Sequence, residues 1–173
     1  MSDTLITVIA IALAAILMFV FPLMTMSDRA DDVSQTAVKA AVTSFVNESA
    51  TKGKITKEDY NKFVQTITST GNTYDVELSV QVRDSNLAKK KSLSQADKIG
   101  ENIYYTVYTS QIQDKLDTDG SYLCKEGDII SAKAKNTNQT ISDQLKNFFY
   151  SVTGNDSYSI AGEATAMVSS NGK

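Results

Sequence analysis

The sequence predicts an α+β protein, with a long N-terminal hydrophobic helix followed by a small head that has a mainly antiparallel sheet and short helices. Three observations carry this. Residues 5–26 contain no charged side chain. Apolar positions then recur at three- and four-residue steps as far as Lys52. Beyond Gly53, period-two stretches alternate with short helical ones and turn residues. At 173 residues the chain has room for one compact domain plus a helical extension, with the boundary expected between residues 1–53 and 54–173.

The apolar run is interrupted only by Thr7 and Thr25. As a helix it is about 33 Å long at 1.5 Å per residue, enough for a hydrocarbon core of about 30 Å. A cleaved secretory signal would carry a basic n-region, a shorter apolar stretch and a small-residue cleavage site. Here Met1, Ser2, Asp3 and Thr4 include an acid and no base, and Phe21, Pro22 and Leu23 offer no A-x-A pattern. The balance favours a retained span whose surroundings are membrane lipid. Only Arg29 lies close enough to either end for the positive-inside rule to count. Orientation is therefore expected from the polar domain, exported while the short tail stays in the cytoplasm. Pro22 removes one backbone hydrogen bond and should kink or loosen the helix about a turn earlier. Ser27, Asp28, Arg29, Asp31 and Asp32 mark the exit into water, and Asp28, Asp31 and Asp32 read as a solvated helix face.

Past that exit the pattern stays helical through Ala30, Val33, Ala37, Ala40, Ala41, Val42, Phe45 and Val46. A stripe of small residues suits close approach to other helices, and it equally suits docking on the chain's own sheet. The candidate helix-packing positions are Leu5, Val8, Ala12, Ala15, Phe19, Pro22, Met26, Val33, Ala37, Ala40 and Ala41.

In the head, Thr56 reads as an N-cap, with Glu58 and Asp59 in the first turn and Ile55 placed to staple onto Tyr60. Tyr60, Phe63, Val64 and Ile67 form that helix's apolar face, and Gly71 stops it. Tyr74, Val76, Leu78, Val80 and Val82 then alternate with polar residues, which predicts a strand with one buried and one wet face. Residues 84–102 read as a polar loop, and residues 103–108 as a second strand. Ser110 and Gln113 stand at capping-box spacing and open a helix ending near Leu116. Residues 122–124 and 129–135 flank Lys125, Glu126, Gly127 and Asp128, a hairpin pattern. A third amphipathic helix is expected over residues 140–150 on Ile141, Leu145, Phe148 and Phe149. A turn at residues 154–156 leads to a last strand through Tyr158, Ile160, Ala164, Ala166 and Val168.

Composition removes several function classes. The chain has no His, so it lacks the usual general base near neutral pH and the commonest metal ligand. A net charge of -3 gives no general attraction to nucleic acid, and Lys89, Lys90 and Lys91 are too short a run to change that. The single cysteine, Cys124, has no intramolecular disulfide partner and reads as a small core residue. Asp117, Asp119 and Asp128 approach calcium-loop spacing, but Tyr122 takes the glycine position and Lys125 falls where an oxygen ligand belongs. That stretch reads as a tight turn after a helix. No phosphate loop, nucleophile elbow or carboxylate pair in an apolar setting is present in the sequence. Neither a catalytic residue nor a cofactor or metal site is expected.

The long helix, Pro22 and the α+β head together resemble type IV pilins and their relatives, including Tad-type pilins and pseudopilins. The stretches MSDTLITVIAIALAAILMFVFPLMTMSDRADD, ITKEDYNKF and TGNTYDVEL are similar to pilin-like proteins that accompany secretion or conjugation genes in Gram-positive bacteria. The resemblance implies a structural subunit, not an enzyme. It is held in the cytoplasmic membrane before assembly with its head extracellular, then packed through its N-terminal helix into the core of a cell-surface filament. The partners it implies are further copies of the chain and a pilus assembly or secretion machinery. The alternative is a monomeric membrane-anchored module of a secretion or conjugation machine. Two features differ from the family pattern: Leu5 stands where an acidic residue is usual, and no short basic leader precedes the apolar run. They imply a route of export and assembly unlike the standard one.

Overall fold

The structure is a computed structural model that describes residues 2–83, 104–150 and 159–172, with the side chains of Ser2 and of residues 148–150 left out. Helix α1 (Ser2–Lys52) runs unbroken through Pro22. Among the described residues the elements follow one another as α1, β1 (Lys54–Thr56), α2 (Lys57–Thr68), β2 (Tyr74–Arg83), β3 (Tyr104–Tyr108), α3 (Thr109–Asp119), β4 (Ser121–Leu123), β5 (Ile129–Asn136), α4 (Ile141–Tyr150) and β6 (Ala161–Met167). Four strands form an antiparallel sheet in the order β3-β2-β5-β6, and β1 pairs with β4 in a second, two-stranded sheet. The α+β class is as expected. The loop of residues 84–102, Ile103, the turn at 154–156, Tyr158 and the side chains of Phe148 and Phe149 lie outside the described residues.

The core draws on both sides of residue 53. Val38, Val42, Phe45, Val46 and Ala50 of α1 are buried with Phe63 and Ile67 of α2, Leu78 and Val80 of β2, and Ile130, Ala132 and Ala134 of β5. Phe45 stacks on Phe63 with ring centroids 4.7 Å apart. Apart from Ile130, the inward positions of β5 and β6 are small: Ala132, Ala134, Gly162, Ala164 and Ala166. They let α1 lie low across that half of the sheet, where bulkier strand residues would hold the helix off. Gln35 fastens the edge, with its Nε2 donating to the Ala161 carbonyl at 2.7 Å and its Oε1 accepting from the Ala161 N–H at 2.8 Å.

Thr56 caps α2 as expected, accepting from the Asp59 N–H at 3.1 Å. Strand β2 buries Leu78 and Val80 while Asp75, Glu77 and Gln81 stay wet. Three local expectations are corrected. Residues 122–124 do not form a hairpin with residues 129–135: β4 pairs with β1, in the register Ile55↔Tyr122. The turn itself exists, with the Asp128 N–H bonded to the Lys125 carbonyl at 3.0 Å and Gly127 at φ 91, but it passes the chain from one sheet to the other. Helix α3 starts before Ser110, and its first turn is capped by Gln111, whose side-chain oxygen accepts from the Tyr108 N–H at 3.1 Å. Gln113 instead donates to the Tyr60 hydroxyl. Finally, α4 buries Ser142 and Asp143 while Ile141 stays exposed, so the apolar side expected to face the core is turned outward at that residue.

Candidate assembly surface on the long helix

Helix α1 has two working faces. At about 100° per residue, Ser27, Asp31, Ser34, Val38, Val42, Phe45, Val46 and Ser49 point to the same side, and all of them are buried by the head. Leu5, Val8, Ala12, Ala15, Phe19, Pro22, Met26, Val33, Ala37, Ala40 and Ala41 fall within about 60° of another line, roughly 130° further round. The structure leaves this second stripe uncovered from Leu5 to Ala40, with only Ala41 half-buried against the core. Phe19 is 74 % exposed, Met26 69 % and Val33 69 %.

Close approach to other helices and docking on the chain's own sheet are the alternatives for the segment past residue 30. Docking on the sheet accounts for part of it. Val42, Phe45 and Val46 belong to the head. Val33, Ala37 and Ala40 do not.

The most apolar 18-residue window of α1 has a mean hydropathy of 2.8, and none of it is buried by the other described residues. The helix is thus long and apolar enough to cross a bilayer. The two hydroxyls in the run satisfy themselves locally: Thr7 donates to the Asp3 carbonyl at 2.8 Å and Thr25 to the Phe21 carbonyl at 3.0 Å. Neither needs a polar partner from outside the helix.

Of the three acids expected on a solvated helix face, Asp32 is exposed, Asp28 is half-buried and Asp31 is buried. Asp28 and Asp31 hold α4. The Thr140 hydroxyl donates to Asp31 Oδ2 at 2.7 Å, the Ser142 hydroxyl donates to Asp28 Oδ1, and Lys146 Nζ reaches Asp28 Oδ1 at 2.6 Å. Thr140 and Asp143 close the start of α4 on each other, the Asp143 N–H donating to Thr140 Oγ1 and the Thr140 N–H to Asp143 Oδ2. Lys146 and the Ser142 hydroxyl hold the Asp28 carboxyl below the usual carboxylate range, and Lys146 is raised in turn by Asp28. Burial pushes Asp31 the other way, upward, with Asp143 and Asp28 adding to the rise against the Thr140 hydrogen bond. The sequence signal for this clasp was available in the Thr140–Asp143 capping spacing and in Lys146, but its partner lies more than a hundred residues away on α1.

Asp117, Asp119, Asp128 and the thiol have structural tasks. Asp128 is buried and accepts from the Arg83 N–H at 3.0 Å and the Lys125 N–H at 2.8 Å, Asp117 pairs with Lys57 at 2.9 Å, and Asp119 with Lys115 at 3.2 Å. Gly120 closes α3 at φ 72, the tight turn expected there. Cys124 is buried, and burial lifts its thiol to about 12. Among the described residues, no group of three or more His, Cys, Asp or Glu side chains is placed to hold a metal ion. No protein-family model, curated protein or solved structure matches the chain.

Proposed function

We propose that this chain is a pilin-like structural subunit: it resides in the cytoplasmic membrane with its head outside, then assembles into a helical cell-surface filament through α1. The observation that supports this reading is the outer stripe of α1 between Met26 and Ala40. Val33 lies about 10 Å beyond Met26 along the helix, above the reach of the hydrocarbon, and the head is fastened to another side of α1. Neither hydrocarbon nor the core formed by the described residues covers it. Helices of neighbouring subunits do, and Ala30, Ala37 and Ala40 are small enough to let them come close. In such a core the residues from Leu5 to Met26 exchange lipid for neighbouring helices, and the missing N–H at Pro22 gives the helix freedom to bend into place.

The test is bulk on the stripe. Ala37→Leu or Ala40→Phe lies outside the bilayer and outside the head's core, so insertion and folding continue while close packing between subunits is blocked. Electron microscopy of sheared surface material should show filaments lost. Filaments of unchanged abundance and diameter would end the assembly reading.

One observation favours a second reading, a monomeric membrane-anchored module of a secretion or conjugation machine. The wet face of the main sheet carries an open groove of about 690 Å³ lined by Glu77, Ser79, Tyr108, Ser131, Lys133 and Glu163, a surface suited to a polar partner segment. Protein that stays monomeric in detergent, from cells without any filament containing it, would promote this reading over the first.

A further inference from the structure

The clasp between α4 and α1 has a definite height relative to the bilayer. The apolar run of α1 ends at Met26 and the first charged residue is Asp28. At 1.5 Å per residue, Asp28 and Asp31 stand about 3 and 8 Å beyond Met26. A headgroup layer occupies about 5 to 8 Å on each side of the hydrocarbon, so both carboxylates lie within or at the edge of it. The contacts of α4 step from Asp31 at Thr140 to Asp28 at Ser142 and Lys146, carrying the helix toward the bilayer as it advances.

At this height the start of α4 has its polarity reversed for a helix in water, although Gln144 and Asn147 further along are exposed as well. Ser142 is 1 % exposed and Asp143 is buried with it, whereas Ile141 is 65 % exposed and Leu145 is only half-buried. An amphipathic helix in a water-facing head buries its apolar side. One lying in the headgroup layer spends its polar side on the protein and gives its apolar side to the lipid.

We infer that α4 is an interfacial helix, held by Asp28 and Asp31 at the surface of the leaflet that α1 crosses, with Ile141 in the headgroup layer. The charges at this level are Asp28, Asp31, Asp32 and Asp143 against Arg29 and Lys146. With acids in excess, the attraction is apolar and does not depend on anionic lipid. The head is thereby seated on the membrane at two places, the span and α4, and its tilt is fixed before any assembly. The inference rests on the insertion of α1 and is independent of the filament.

Full-length chain in phosphatidylcholine vesicles tests it, with a nitrobenzoxadiazole label on Ile141→Cys, on Val8→Cys within the run, and on Met167→Cys, an exposed apolar position at the far end of the head. Cys124 is buried and stays unlabelled in the folded protein. The label at position 141 should be quenched by a headgroup nitroxide lipid about twofold or more beyond the label at 167, equally with and without added phosphatidylglycerol. Equal quenching at 141 and 167, while position 8 is quenched by a deep acyl-chain nitroxide, would overturn the interfacial assignment and leave the span standing. Quenching at 141 that appears only with phosphatidylglycerol would overturn the apolar mode of attachment. An unquenched label at position 8 would overturn insertion itself and the inference with it.

Discussion

Gly162 of β6 lies directly against the backbone of Lys39 in α1: a Cβ built on this glycine would stand 3.2 Å from both the Lys39 Cα and N. Neither the helix backbone nor the strand can yield without moving the other. Gly162→Ala should therefore destabilise the head by about 1 to 3 kcal/mol, the usual cost of overpacking a close contact. Urea denaturation of the detergent-solubilised chain measures it, and an unchanged midpoint would show that helix and sheet separate easily.

The two faces of α1 should respond oppositely to mutation. Phe45 is buried on Phe63, so Phe45→Ala should cost about 3 to 5 kcal/mol of head stability. Ala40 is exposed, and Ala40→Leu should leave that stability within about 0.5 kcal/mol while still removing filaments. A comparable loss of stability in both variants would place Ala40 in the core and undo the separation of faces.

Acid should act on the α4 clasp in two steps of opposite sign. The Asp31 carboxyl is raised by burial, so its charge disfavours the folded form above its folded pKa, and protonation on acidification relieves that. Asp28 is lowered by Lys146 and Ser142. Its contribution is complete above the ordinary carboxylate value and is lost as pH falls through its folded pKa. Hydrogen exchange at the amides of residues 141–146 should thus stay slow through mild acidification and quicken only below the usual carboxylate range. Asp31→Asn, which keeps an acceptor for Thr140 without the buried charge, should hold α4 at least as firmly. Asp28→Asn loses the ion pair to Lys146, worth about 0.2 to 1 kcal/mol at this partly solvated site, and should quicken exchange already at neutral pH.

The junction after α1 tolerates no side chain. Gly53 has φ 69, and a Cβ there would fall 2.1 Å from the Ser170 carbonyl oxygen. The segment after β6 closes over this point, with the Ser169 N–H bonded to the Ala50 carbonyl at 3.1 Å and the Gly172 N–H to the Cys124 carbonyl at 3.0 Å. Gly53→Ala should displace that segment as well as strain the backbone, at a cost above the roughly 1 kcal/mol typical of a left-handed position alone. Thermal melting would show it, with the loss of amide protection at Ser169 and Gly172 as the local readout.

Cys124 should behave as core. Its thiol, lifted to about 12 by burial, should resist maleimide in the folded chain at mildly alkaline pH and react once the chain is unfolded. Rapid labelling of the native protein would contradict its burial.

Legibility in the sequence followed the range of the interactions involved. The continuous helix, the Thr56 cap and the alternation along β2 depend on neighbours a few positions apart, and each was readable. The β1–β4 pairing was not, because Ile55 meets Tyr122 across 67 positions and each strand is only three residues long. The nearer segments 122–124 and 129–135 instead offered a hairpin, with a real turn between them. The stripe on α1 was visible, but its division was hidden: Val42 and Phe45 look no different from Val33 until the small inward residues of β5 and β6 decide which side the sheet can approach. The reversed polarity at the start of α4 escaped for the same reason, since only Asp28 on a distant helix makes Ser142 a residue to bury.

The seam between α1 and the head also has a mechanical meaning. It runs from Ser27 to Ala50, about 35 Å along the helix axis, and the Gln35 bonds to Ala161 lie well inside it. A pull along α1 therefore loads the whole seam in shear, so that many contacts resist together. A force that peeled the head sideways would meet them one at a time, beginning at the hydroxyl and ammonium contacts of α4. The same interface is stiff against tension along the helix and compliant against bending away from it.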